Sequence, residues 1–302
     1  MLDVVLSPEV AEARVDKRPI VALESTLVAH GMAWPDNFEL AKDLEKIVRE
    51  AGAVPAHIAV VDGRPCVGLS SAQLERIAQQ GSTFAKAGAT DLAVHLARRK
   101  SAATTVSATS VIAARAGIRV FATGGIGGVH RGDAGDVSHD LIALAKTPIA
   151  VVSAGAKAIL DLPRTMELME TLGVLVLGYR TDEMPAFYTV RSGIRLEHFT
   201  GTPGDCADIL RRHWRELDGG GVLVCNPIPA EASLDERLIA SAIEDALRTA
   251  RTTNITGKAL TPHLLAQLAD ATAGASVRAN KALARNNAQV AAEIALALGA
   301  YV

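Results

Sequence analysis

The sequence is poor in cysteine and has no long hydrophobic run, and both shortages restrict the kind of protein it can be. Its 302 residues include three cysteines, Cys66, Cys206 and Cys225, which lie far apart and form no Cys-x-x-Cys pair. This spacing supports neither a disulfide framework nor a zinc knuckle and predicts reduced, mostly buried thiols. Charged residues, Gly or Pro interrupt every apolar run before it reaches the length of about 20 residues that a membrane-spanning helix needs. We therefore expect a soluble protein.

An excess of positive charge is also missing. The chain has 31 Lys and Arg against 33 Asp and Glu, a formal net charge of −2. Proteins that bind nucleic acid or an anionic membrane usually carry a basic excess, so neither partner is expected. A small anionic substrate stays possible because it needs only a local cluster of donors. The charged stretch Met1 to Pro19 lacks the apolar core of a secretory signal, which favours a cytoplasmic protein.

Short hydrophobic runs alternate along the chain with longer segments of helical period. Runs rich in Val and Ile predict strands at Pro19–Leu23, His57–Val61, Arg119–Ala122, Pro148–Val152, Val174–Leu177 and Val222–Cys225. Helices are predicted at Pro35–Ala51, Asp161–Leu172 and Ser233–Arg251, and from Thr261 to Leu298 with an interruption near Gly274. This alternation indicates one α/β domain over residues 1–302, layered α/β/α, with a largely parallel central sheet and a helical C-terminal elaboration. Its ligands should bind outside the carboxyl ends of the strands.

A glycine-rich run, Thr123 to Gly132, follows one predicted strand. A dinucleotide-binding fingerprint would need glycine where His130 stands and would have to open a helix, and no G-x-x-x-x-G-K-[ST] loop occurs in the chain. A nicotinamide-dependent dehydrogenase is therefore disfavoured. Two interpretations of the run stay open: a tight structural turn, and an anion-binding nest of backbone amides beside Arg131.

Glu24 ends a nearly apolar strand, where a carboxylate is costly unless it is paired or used. Burial would raise its pKa and suit it to general acid catalysis, although a glutamate that only caps or pairs near a strand end is an equally open interpretation.

The segment Gly132 to Asp140 places three carboxylates, Asp133, Asp136 and Asp140, within eight residues. Hard cations such as Mg²⁺ or Mn²⁺ take oxygen ligands and often only one or two from protein. Alternatively, Ser138 caps a helix and the segment is a solvated loop.

The run Ser153 to Lys157 places a lysine after a buried strand and four small residues. If Lys157 enters the next helix, both burial and the helix dipole would lower its pKa and favour a nucleophilic amine, whereas the alternative is a surface lysine. Lys86 also lies among small apolar residues. The hydroxyl-rich turn Ala103 to Thr109 enters a helix and is suited to binding phosphate through backbone amides.

Taken in order, these segments resemble the pseudouridine-5′-phosphate glycosidase family, which is grouped with indigoidine synthase A-like proteins. The resemblance covers roughly residues 5–300. The matching runs are Ala22–Thr26, His30–Met32, Val54–Ala56, Asp62-Gly63, Phe121–Gly132, Ser153–Lys157, Gly178–Asp182, Pro185–Tyr188, Asn226–Pro229, Gly257–Pro262 and Asn280–Ala288.

The resemblance implies a metal-dependent, reversible cleavage of the C–C glycosidic bond of pseudouridine 5′-phosphate to uracil and ribose 5-phosphate. Because a C-glycoside lacks a heteroatom leaving group, an iminium at C1′ of the opened ribose would serve as the electron sink. By motif position, Lys157 is the amine, Glu24 the proton donor and Asp136 the ligand of Mn²⁺, mainly through water. The residues implied to contact substrate are Lys86, Val106, Ser138, His139, Asp140 and Asn280. A homotrimer is also implied, and degradation is the favoured direction.

Two departures and two rivals accompany this interpretation. The loop from Asp133 to Asp136 is shorter than the family pattern, which makes Asp133 and Asp140 competitors for the metal, and His139 replaces a small residue. One rival is a relative with the same Glu–Lys pair that forms a different phosphosugar adduct. The other is a phosphosugar-binding or regulatory protein that has lost catalysis. Against it stands the presence of Glu24, Lys86, Asp136 and Lys157.

Overall fold

The computed structural model describes residues 2–132, 135–255, 257 and 260–299, and all strands in these ranges belong to one sheet. Asp133 and the Lys258-Ala259 part of the Gly257–Pro262 motif lie outside the described residues. The strands are β1 Val5–Leu6, β2 Ile20–Glu24, β3 Val54–Val61, β4 Arg64–Val67, β5 Ala85–Ala87, β6 Ala102–Thr104, β7 Val120–Ala122, β8 Ala150–Ser153, β9 Leu175–Tyr179, β10 Phe199–Thr200 and β11 Val222–Cys225.

Helices connect the strands and cover both faces of the sheet. They are α1 Pro8–Val15, α2 Thr26–His30, α3 Asp36–Glu50, α4 Ser71–Gln79, α5 Leu92–Ala97, α6 Val106–Arg115, α7 His139–Lys146, α8 Leu162–Thr171, α9 Pro203–Arg215, α10 Glu236–Thr252, α11 Leu260–Ala271 and α12 Ala275–Leu298. None of these described helices is long and apolar enough to cross a membrane.

The strands are ordered β1-β4-β3-β2-β7-β8-β11-β9-β10, and β6 joins β3 to β5. Strand pairs are parallel except β3–β4 and β3–β6. The central strands are buried on both faces, as expected of a parallel sheet covered by helices. The predicted layered fold with a largely parallel sheet is therefore confirmed.

All six predicted strands are present, and Val222–Cys225 has the predicted bounds. The strands that the sequence did not predict, β1, β4, β5, β6 and β10, are two to four residues long. Such short segments contain too few residues to show a hydrophobic pattern that distinguishes a strand from a loop.

The predicted helical C-terminal region is present, and its last helix packs on the central strands of the sheet. The region forms α11 and α12 with the expected break near Gly274, whose φ is +75°. Helix α12 packs against β2, β7 and β8 and against α3 and α9, with Asn287 and Ala291 fully buried. It is therefore a part of the layer that covers the middle of the sheet.

The cysteines follow the sequence prediction. All three are free and buried, and burial raises the pKa of Cys206 and Cys225 to about 12. They stay protonated and unreactive at neutral pH.

Candidate active site

A cavity of about 320 Å³ opens at the carboxyl ends of the strands, where the fold predicts a ligand site. It brings together every site residue that the sequence predicted. They are Glu24, Lys86, Val106, Asp136, Ser138, His139, Asp140, Lys157 and Asn280. Residues up to 256 positions apart in the sequence (24 to 280) thus share one wall.

Glu24 is the last residue of β2 and is only 8% exposed. Its pKa is raised above the ordinary value because burial penalises the carboxylate, and Asp140 adds to the rise. Lys157 opposes this shift most, followed by a hydrogen bond that Thr123 Oγ1 donates to Glu24 Oε1, and by Lys86. A buried carboxyl whose pKa is raised is suited to act as a general acid.

Lys157 lies on a turn after β8 and not in a helix, so the predicted helix start is wrong. Gly155 has a φ of +76° and Ala156 pairs with Ile126, which continues β-like backbone pairing past the strand. Helix α8 begins only at Leu162, where Asp161 Oδ1 accepts from the Arg164 amide. Because the helix dipole decays within one turn, it cannot act on Lys157.

The glycine run is needed for close packing around the cavity. A Cβ atom at Gly125 would lie 2.6 Å from the Phe187 ring, and one at Gly127 would lie 2.2 Å from Ser138 Oγ. A side chain at either position would therefore force Phe187 or Ser138 to move. The Arg131 guanidinium donates to carbonyls at Ala158 and Leu160, which favours the structural interpretation over an anion nest.

Asp140 ties the glycine run to the N-terminus of α6. Its Oδ1 accepts from the Ser107 amide and its Oδ2 from the Gly127 amide, each at 2.9 Å. Both carboxylate oxygens are thus engaged, which disfavours Asp140 as the metal ligand. Ser138 caps α7 by accepting from the Asp140 amide, so the predicted cap is confirmed.

Asp136 is half-buried and lines the cavity, and its backbone carbonyl accepts from the His130 amide. In the described ranges, no group of three or more His, Cys, Asp or Glu side chains is placed to hold a metal ion. A cage made only of protein ligands is therefore absent from this part of the chain. A single carboxylate with several waters fits a hard divalent cation.

Several cavity residues carry buried polar atoms without a hydrogen-bond partner in the part of the chain that the structure describes. They are Thr26 Oγ1, Asn280 Oδ1, His130 Nδ1, His139 Nδ1 and His30 Nε2. Buried polar atoms are normally satisfied, so this concentration indicates a wall completed by a polar ligand. Burial lowers the pKa of His30 and His130, which favours their neutral forms.

Sequence reasoning did not assign a role to Thr123, His30, His130 or Phe187, although all four line the cavity. Phe187 has a φ of +66°, an uncommon conformation for a residue with a side chain, and it packs edge-on against Tyr188. Thr123 could have been found only from the pairing of β2 with β7, which is not written in local sequence.

The fold and this site define an α/β enzyme whose strand ends present a buried carboxyl of raised pKa and a lysine side chain to one cavity. The indigoidine synthase A like protein family matches residues 9–297. The chain belongs to that family and, within it, groups with the pseudouridine-5′-phosphate glycosidases.

Two relatives support this grouping. A pseudouridine-5′-phosphate glycosidase of Caldanaerobacter subterraneus is 51% identical and covers 97% of this chain and 96% of its own length. One of Arabidopsis thaliana is 48% identical and covers 97% and 89%.

Two solved structures agree with the fold and the family. The prealnumycin C-glycosynthase AlnA in complex with ribulose 5-phosphate has a TM-score of 0.90 and 41% identity, and the match covers 98% of this chain and 97% of that one. An indigoidine synthase A-like protein of Thermotoga maritima has a TM-score of 0.89 and 33% identity, with 97% and 96% covered.

Proposed function

We propose that this enzyme cleaves the C–C glycosidic bond of pseudouridine 5′-phosphate, reversibly giving uracil and D-ribose 5-phosphate, and that the reaction depends on a divalent metal. The observation that carries the proposal is the joint placement of Glu24 and Lys157 in one cavity, with the pKa of Glu24 raised by burial. Near-full-length relatives named pseudouridine-5′-phosphate glycosidase support the substrate. The structural relative with bound ribulose 5-phosphate supports a phosphosugar ligand.

The chemistry assigns one step to each residue. The Lys157 amine bonds to C1′ while the C1′–O4′ bond breaks, and the proton that the nitrogen then loses passes to O4′, which becomes a hydroxyl of the opened ribose. Glu24 then protonates the uracil carbon that is bonded to C1′. The C–C bond breaks, its electron pair returns to the uracil ring, and the lysine nitrogen forms an iminium with C1′. Water adds to C1′ of the iminium, the C–N bond breaks to give ribose 5-phosphate and the free amine, and the proton released in this step returns to the Glu24 carboxylate.

Incubation with pseudouridine 5′-phosphate and Mn²⁺ tests the function. We expect uracil release, measured by chromatography, and an intact mass after borohydride reduction that is increased by one reduced ribose-phosphate adduct. The same mixture with excess chelator should release little uracil. Folded enzyme that releases no uracil with Mn²⁺ or another divalent cation would remove the proposed substrate.

A second candidate is formation or cleavage of a C-glycoside with another aglycone, because the chain is 41% identical to the prealnumycin C-glycosynthase. In that case borohydride would still trap an adduct from ribose 5-phosphate. Pseudouridine 5′-phosphate would then yield no uracil. The two readouts together therefore separate the candidates.

We propose Mn²⁺ as the cofactor and Asp136 as its protein ligand, mainly through water. The half-buried carboxylate at the cavity wall fits such a site, and the ion would supply positive charge for phosphate or hydroxyl oxygens of the substrate. A homotrimer and a cytoplasmic location stay predictions from the resemblance and the sequence.

Asp136→Asn should weaken Mn²⁺ binding at least about 10-fold, because an amide oxygen carries no net charge for the ion or its waters. Titration of free Mn²⁺ by electron paramagnetic resonance measures the affinity without turnover. Asp208→Asn, on α9 and paired with Arg211, is the matched control and should bind Mn²⁺ normally. Unchanged binding by Asp136→Asn would transfer the role to another carboxylate, with Asp133 the first to test.

A further inference from the structure

The turn that carries Lys157 is irregular, and its shape depends on contacts with the glycine run. Lys157 donates its amide to the Ile126 carbonyl at 3.1 Å, and its carbonyl accepts from the Leu160 amide at 3.0 Å. On the far side, the Asp161 amide donates to the Val129 carbonyl at 2.9 Å. These bonds fix the two ends of the turn to the segment 126–129.

Arg131 closes the remaining part of this turn. Its Nε donates to the Leu160 carbonyl and its Nη2 to the Ala158 carbonyl, each at 3.0 Å. The pairing of His130 with Leu160 places the guanidinium beside the turn. Ala158 and Leu160 are 6% and 1% exposed, so water has little access to their carbonyls.

We propose that Arg131 is a positioning residue that holds the Lys157 turn in its reactive shape by bridging the carbonyls of Ala158 and Leu160. The inference rests on the proposed function because it assumes that Lys157 is the nucleophile. A guanidinium fits this task because its two N–H groups lie in one rigid plane and match two acceptors at once. An ammonium group on a flexible chain cannot fix two carbonyls in this way.

The physical consequence concerns orientation more than charge. Without the guanidinium, two buried carbonyls lose their donors and the turn can rotate toward other partners. A displacement of about 1 Å in a reacting group can cost roughly 100-fold in rate. The substrate-contacting wall at α6 and α7 is held by contacts other than those of Arg131, namely those of Asp140 with the Ser107 and Gly127 amides, so substrate affinity should change less than the rate.

The test follows adduct formation between ribose 5-phosphate and Lys157, trapped with borohydride at successive times and quantified by intact mass. Arg131→Ala should slow adduct formation about 100-fold with a nearly unchanged dependence on sugar concentration. Added guanidinium at a concentration far below denaturation should restore part of the rate. Arg131→Lys should stay close to Arg131→Ala, because charge alone is not sufficient.

Arg119→Ala is the matched control. Arg119 donates to the Pro148 carbonyl at 2.7 Å beside β7, at the sheet edge opposite the cavity. We expect the Arg119→Ala variant to be less stable than the wild type but to form the adduct at the wild-type rate, and added guanidinium should not change that rate.

The outcomes separate the two ideas. A wild-type enzyme that forms no adduct would contradict the proposed function. An Arg131→Ala enzyme that is folded, as judged by thermal denaturation, and reacts at the wild-type rate would overturn the positioning role. If Arg131→Ala does not fold, Arg131→Lys decides, because a wild-type rate there would equally overturn it. A slow Arg131→Ala variant whose rate added guanidinium does not restore would also contradict the positioning role, since free guanidinium should replace the missing bridge between the two carbonyls.

Discussion

Lys157→Ala is expected to lose turnover of pseudouridine 5′-phosphate by at least about 10,000-fold, the scale on which covalent nucleophiles are lost in other enzymes. Among the described residues, Lys86 also lines the cavity, but it lies on β5 and does not share the turn that carries Lys157. The measurement is uracil release at saturating Mn²⁺. Intact mass after borohydride should show no ribose-phosphate adduct.

Lys146→Ala provides the control for loss of a lysine. Lys146 is exposed in the last turn of α7 and does not line the cavity. This variant should keep wild-type uracil release and the trapped adduct. Metal-dependent turnover that survives intact in Lys157→Ala would remove the covalent mechanism and would leave the cavity to another chemistry.

Glu24→Gln is expected to separate the two chemical steps. Glutamine is close in size to glutamate but cannot supply a proton, so uracil release should fall by about 100- to 10,000-fold. The adduct between ribose 5-phosphate and Lys157 needs no proton on uracil and should still form. Comparison of the two rates in one protein preparation is the measurement. Retained uracil release would exclude Glu24 as the acid but would leave Lys157 in place.

The wild-type pH profile should carry the same signature. Because the pKa of Glu24 is raised, its acid form persists above the ordinary range, and uracil release should decline as pH rises through the raised value. The charges of Lys157 and Lys86 favour the carboxylate form of Glu24, and the charge of Asp140 disfavours it. All three side chains therefore influence the pH at which uracil release declines. Thr123→Val removes a donor that favours the carboxylate and should move the alkaline limb upward, whereas Thr123→Ser should restore it.

Stability should depend on pH in the matching direction. A carboxyl with a raised folded-state pKa contributes its stability below the unfolded value, and this contribution is lost as pH rises through the folded value. The glutamine of Glu24→Gln cannot ionise. The difference in melting temperature between this variant and the wild type should therefore shift in favour of the variant as pH rises through the folded-state pKa of Glu24. This shift also shows that the inactive variant is folded.

Local sequence predicted the main strands well, for a physical reason. Central parallel strands are buried on both faces, so runs such as Val222–Cys225 are hydrophobic throughout and can be recognised without their partners. The nine site residues were named largely through the family resemblance, and the structure places all of them in one cavity. Their chemical roles stay predictions.

Lys157 shows the limit of such local interpretation. A run of small residues before a lysine favours a helix start, yet the left-handed Gly155 and the pairing of Ala156 with Ile126 delay the helix to Leu162. These contacts join segments about 30 residues apart and have no local pattern. The same holds for Arg131, whose partners at Ala158 and Leu160 lie in that turn.

The sequence by itself therefore determined that Lys157 follows a buried strand and that Glu24 ends another, because each fact depends only on neighbouring residues. Tertiary structure alone decided that they meet. The sheet order β2-β7-β8 places Thr123 beside Glu24, 99 positions away, and brings the Lys157 turn to the same edge. Strand order depends on pairing between segments that are distant in the sequence. The free energy of that pairing is distributed over the whole sheet and α12, so no single segment encodes it.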